Sequence, residues 1–105
     1  MAITNSQLNA TSETNVFSSS GENAITAIMF CNTSGSLDAT VDVWMVPNGF
    51  AVGDNNKIVH QAFLGRGETF SIDTEKFILS NGDGLYAKAS QNTIITATVS
   101  YIQLF

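Results

Sequence analysis

Apolar and polar side chains alternate with a period of two along most of this chain. That is the spacing of β-strands rather than of helices. In residues 24–31, Ile25, Ala27, Met29 and Cys31 fall on one side and Thr26, Ile28 and Phe30 on the other. Both sides are largely apolar, so the segment reads as a central strand. Residues 40–46 set Val41, Val43 and Met45 against Thr40, Asp42, Trp44 and Val46. Residues 57–63 alternate Ile58, His60 and Ala62 with Val59, Gln61 and Phe63. Further strands are predicted over 68–72 (Phe70 and Ile72 inward), 76–79, 85–89 and 93–104. The last puts Ile95, Ala97, Val99 and Tyr101 on one face.

Turn chemistry separates these runs: Asn32-Thr33-Ser34-Gly35-Ser36, Pro47-Asn48-Gly49, Gly53-Asp54-Asn55-Asn56, Gly65-Arg66-Gly67 and Asn81-Gly82-Asp83-Gly84. Pro47 cannot donate to a ladder, and Asn-Gly favours positive φ. No ten-residue stretch joins a 3.6-residue repeat to good helix formers. Seven or eight strands at spacings of about 8–12 residues predict an all-β antiparallel β-sandwich or jelly roll. Residues 1–22 alternate weakly and read either as edge strands or as an arm lying on a neighbouring subunit. Residues 23–105 form the sandwich.

With 105 residues the chain is one domain, with an expected folded surface of roughly 5,700 Å². Charged residues make up only 12%, and the net charge is -5. Four scattered cations, Lys57, Arg66, Lys76 and Lys88, are a poor footprint for nucleic acid or anionic lipid, so neither is an expected partner. Asn, Ser and Thr together number 32. Solubility then comes from amides and hydroxyls, which suits surfaces that meet neighbours without desolvating ions. There is no run of 18 apolar residues and no signal-peptide pattern, so the expected site of synthesis is the cytoplasm.

Candidate chemistry is sparse. His60 is the only histidine and has no motif around it. Cys31 is the only cysteine, which excludes an internal disulfide, and reads as a small buried hydrophobe. Acidic turns at Asp54-Asn55-Asn56, Asp73-Thr74-Glu75 and Asn81-Gly82-Asp83-Gly84 lack EF-hand spacing, and turn chemistry explains them without an ion. Gly65-Arg66-Gly67 is too short for a phosphate loop. The expectation is a protein with no catalytic residues, metal or cofactor. A terminal Phe105 with no charged tail points to burial in the core or against a partner.

The stretch from Ile25 to Tyr101 resembles a loose family of small tailed-phage virion proteins. The resemblance rests on an ordered series of segments. Ala27-Ile28-Met29-Phe30-Cys31-Asn32-Thr33-Ser34-Gly35 comes first, then Val41-Asp42-Val43-Trp44-Met45-Val46-Pro47-Asn48-Gly49 and Asn56-Lys57-Ile58-Val59. Gly67-Glu68-Thr69-Phe70, Phe77-Ile78-Leu79-Ser80-Asn81-Gly82-Asp83, Ala87-Lys88-Ala89-Ser90 and Thr98-Val99-Ser100-Tyr101 follow. The resemblance covers roughly three quarters of the chain. It implies a β-sandwich in the virion, assembled in the host cytoplasm, and carries over no catalytic residues.

The expected function is structural: a homo-oligomer, with a trimer favoured, decorating a capsid or serving as an accessory particle protein bound to other virion proteins. Phe17, Trp44, Tyr101 and Phe105 are the expected docking residues. The alternative is a tail- or fibre-associated carbohydrate- or receptor-binding module that uses Trp44 and Tyr86.

Overall fold

The computed structural model describes residues 2–73 and 76–104. Among these residues nine strands form: β1 (Ala2–Gln7), β2 (Thr14–Ser18), β3 (Asn23–Asn32), β4 (Ala39–Val46), β5 (Lys57–Leu64), β6 (Thr69–Ile72), β7 (Phe77–Leu79), β8 (Gly84–Ala89) and β9 (Ile95–Gln103). A 3₁₀ turn at Asp54–Asn56 leads into β5.

The strands make two antiparallel sheets. The first runs β1-β9-β3-β6, and β7 continues the β6 line along the same edge of β3. The second runs β2-β8-β4-β5. Counting β6 and β7 as one interrupted strand gives eight strands in the jelly-roll winding. The order follows from a nested ribbon. β4 pairs with β5, β3 with β6 and β7, β2 with β8, and β1 with β9. Rolling that ribbon creates the β3–β9 and β4–β8 ladders.

The core lies between the sheets. Ile25, Ile28, Phe30, Ile95, Ala97 and Val99 come from one, and Val41, Val43, Leu64, Leu85 and Ala87 from the other. The total accessible surface, 5579 Å², matches the size expected of a monomer of this mass. Residues 2–22 are built into the same body. β1 is an edge of the first sheet and β2 an edge of the second, and Leu8, Val16 and Phe17 are core residues.

Two ladders depart from simple alternation. In β3 the register with β9 shifts between Ile25 and Ala27. The bulge turns Ile25, Ile28 and Phe30 to the same interior, where alternation alone groups Ile25 with Ala27, Met29 and Cys31. Thr26, at the bulge, donates its hydroxyl to the Ser100 carbonyl at 3.0 Å, and its own carbonyl accepts from Lys76 Nζ at 3.2 Å. In β5, Gln61 sits at φ 51. Val59, Ala62 and Leu64 therefore turn inward, while Phe63 lies outside and is exposed.

Asn32 ends β3 as a fully buried polar residue. Its Nδ2 donates to the carbonyls of Leu37 (2.9 Å) and Leu64 (3.0 Å), and its Oδ1 accepts from the Ser34 amide (2.9 Å). The turn that follows β3 is thereby tied to the end of β5 in the opposite sheet.

Candidate functional site

The two outer faces of the sandwich differ in chemistry. On the β2-β8-β4-β5 side, Asp42, Trp44 and Val46 of β4 point away from the core beside Tyr86 and Lys88 of β8. Lys57 Nζ lies 3.5 Å from Asp42 Oδ1 and 5.1 Å above the centre of the Trp44 ring. It also donates to His60 Nδ1 at 2.8 Å, and the Gln61 amide donates to Asp42 Oδ1 at 2.7 Å. This cluster follows from the β5 bulge, which frees the Gln61 N–H from the ladder and turns it to the carboxylate.

The strands of the opposite sheet hold no ions, although Lys76 Nζ reaches the Thr26 carbonyl of β3 from the β6–β7 connection. None of the strands β1, β9, β3, β6 and β7 contains a Lys, Arg, His, Asp or Glu. The pairing register sets their outward residues in rows. Ile102, Ala24 and Ile78 form one row, and Ile3, Ser100 and Ala27 the next. Asn5, Thr98, Met29 and Ser71 come third, then Gln7, Thr96, Cys31 and Thr69. Large apolar side chains stand open among them: Ile3 is 65% exposed, Ile78 59%, Met29 46% and Ile102 38%. The polar groups partly bond one another, with Thr98 Oγ1 donating to Asn5 Oδ1 at 2.8 Å and Thr26 Oγ1 lying 2.9 Å from Ser100 Oγ. A shallow depression of about 430 Å³ crosses the β1–β9 part of the face, lined by Asn5, Ser6, Gln7, Thr96 and Thr98.

Such a face is suited to burial against protein. Covering it desolvates no charge, and each hydroxyl or amide needs only one or two new hydrogen bonds. A face about 20 Å wide and 30 Å long, from the spacing of strands and residues, is the scale of a standard interface of about 800 Å² per partner.

Of the residues expected to dock, Phe17, Trp44 and Tyr101 lie off this face. Phe17 is only 7% exposed and meets the Tyr101 ring at a centroid distance of 4.6 Å inside the sandwich. The two side chains bridge the sheets, because β2 and β9 place them on facing interior positions. Phe17 is a core residue, and Tyr101 is partly buried against the core. Trp44 is 6% exposed beneath Lys57, so it is neither an open anchor nor an open platform for stacking a sugar. Tyr86 is half-buried opposite it on β8. Phe105 lies outside the described residues.

Pattern reading missed Ile3, Met29, Ile78 and Ile102 as surface apolar residues. The signal that finds them is the lack of any charge across five strands. The turn carboxylate of Asp83 is occupied by protein, accepting from the Asn48 amide (2.9 Å) and the Ser80 amide (2.9 Å). Among the described residues no three His, Cys, Asp or Glu side chains cluster as metal ligands. Comparison with family models, curated proteins and solved structures finds no match to this chain.

Proposed function

We propose that this protein is a structural component of a phage virion and works by association, with copies of itself and with other particle proteins. The observation that carries the reading is the ion-free outer face of the β1-β9-β3-β6/β7 sheet, with Ile3, Met29, Ile78 and Ile102 standing open on it. Exposed apolar side chains gathered on one face favour a protein partner. The resemblance of residues 25–101 to small tailed-phage virion proteins supplies the setting. The jelly roll is shared by viral capsid and lectin domains, and it does not choose between them. The closed Trp44 ring favours association over sugar binding.

The test is mass spectrometry of purified virus particles from cells producing the wild-type chain, Met29→Lys or Thr98→Glu. Both variants place a charge on the outer face without entering the core, so far-UV circular dichroism is expected to stay unchanged. The wild-type chain is expected in the particles, and both variants are expected to be depleted from them. Absence of the wild-type chain from particles overturns the virion reading. Undiminished incorporation of both variants overturns the assignment to this face.

A further inference from the structure

A sheet edge exposes a row of unpaired amides and carbonyls, and proteins that must not pair there blunt it with bulges, charge or short strands. Of the four edges here, three are blunted. β5 carries Lys57, His60 and the bulge at Gln61. β2 has five residues and a register shift between Asn15 and Phe17. The β6/β7 edge is two short strands of four and three residues. β1 has none of these defences. It pairs with β9 in unbroken register from Ala2↔Tyr101 to Gln7↔Thr96, and it holds no charge, proline or bulge.

The phase of its hydrogen bonds is fixed just beyond its end. Leu8 N donates to Ile95 O at 2.9 Å, and Thr93 N donates to Leu8 O at 3.0 Å. Leu8 and Ile95 extend the β1–β9 register by one pair, so antiparallel alternation directs the backbone groups of Ala2, Thr4 and Ser6 to β9. Those of Ile3, Asn5 and Gln7 point to the open edge.

We propose that a second copy of this chain pairs its β1 antiparallel to this one across a two-fold axis, joining two sheets into one. The pairing partner has to offer an extended, uncharged, regular edge of matching phase, and β1 itself is such an edge. Two copies of a chain with net charge -5 meet here without bringing like charges together, because β1 and the neighbouring β9 carry none. Only the outward residues can form the hydrogen-bonded pairs, so a symmetric register places Thr4, Asn5 or Ser6 at the axis, with Asn5 giving the longest ladder. All three registers lengthen the ion-free face across the two copies. The pairing does not rest on the virion reading: it is measured in purified protein, and the particle experiment can fail while it stands.

Sedimentation equilibrium of the full chain tests it, with amide hydrogen exchange as a second readout. The wild type is expected to dimerise with rising concentration. Asn5→Pro removes one outward N–H in each copy, and Asn5→Lys brings two cations together near the axis. Each is expected to weaken dimerisation at least tenfold, with the fold intact by circular dichroism. The amides of Ile3, Asn5 and Gln7 are expected to gain protection in concentrated wild type and to lose it on dilution. A wild type that stays monomeric at millimolar concentration overturns the proposal, as does a trimer. It is equally overturned by a dimer whose Ile3, Asn5 and Gln7 amides exchange freely, or by one that Met29→Lys abolishes and Asn5→Pro leaves unchanged.

Discussion

Replacing Asn32 tests how the two sheets are fastened at one end. The side chain is fully buried and makes three hydrogen bonds, at 2.9, 3.0 and 2.9 Å. Asn32→Ala removes all three and strands the Leu64 carbonyl, whose bond is buried. A buried acceptor left without a partner costs about 1–3 kcal/mol, and each of the other two bonds about 0.5–1.5 kcal/mol. The Leu37 carbonyl and the Ser34 amide are partly open to water, so the lower values apply to them. The expected loss is about 3 kcal/mol, a large part of the 5–15 kcal/mol typical of a domain.

Asn32→Asp keeps the shape but turns a carboxylate oxygen toward two carbonyls. It is expected to be worse than Ala at pH 7. Burial raises the folded-state pKa of that carboxyl above its unfolded value near 4. The folded variant then binds more protons than the unfolded one between those two values, so its stability falls as pH rises through that window. Measured against wild type at each pH, the Asp deficit should shrink from pH 7 to pH 4, while the Ala deficit stays constant. Urea unfolding reads both through the midpoint at unchanged m. An Ala variant within about 0.5 kcal/mol of wild type, or an Asp variant as stable as Ala at pH 7 with no pH trend, refutes the reasoning.

Two further substitutions probe the core and a turn. Phe17→Ala removes the ring that meets Tyr101 between the sheets and is expected to cost about 3–5 kcal/mol in urea unfolding; unchanged stability with lost self-association would instead place Phe17 at an interface. Gly82 holds φ +89, where an added Cβ would also clash with the Asn48 side chain. Because that side chain is exposed and can swing away, Gly82→Ala is expected to cost about 1–2 kcal/mol from the backbone alone, a drop of roughly 5–15 °C in Tm. Asn48→Gly should recover little of it in thermal melts, and full recovery would show that the clash is the cause.

Much of the architecture is legible in the alternation of side chains. The runs at 40–46 and 85–89 become β4 (Ala39–Val46) and β8 (Gly84–Ala89), because one buried face forces a strict period of two. The bulge in β3 is not legible. Ile25, Ala27, Ile28 and Met29 are all apolar, so the pattern cannot mark where one extra residue reverses the faces. Asn32 looks like the start of a polar turn, yet the opposite sheet supplies its partners, and no local signal reports a bond to Leu64. The surroundings of the expected docking aromatics are hidden for a related reason. Phe17, Trp44 and Tyr101 are large aromatics that invite a surface role, but the winding sets Phe17 against Tyr101 and Lys57 over Trp44.

The nested ribbon also bears on how the chain finds its shape. The innermost hairpin, β4 with β5, closes over a short connection. Each later pairing, β3 with β6 and β7, then β2 with β8, then β1 with β9, starts from ends already drawn together. Loop-closure entropy grows only with the logarithm of the loop, so zipping outward keeps every increment small. The strand ends united last are those farthest apart in sequence, Ala2 opposite Tyr101. Folding is then expected to be slow, as for other architectures dominated by distant contacts. On this order the β1 edge is expected to mature last, out of reach of sister chains until the rest of the body has formed.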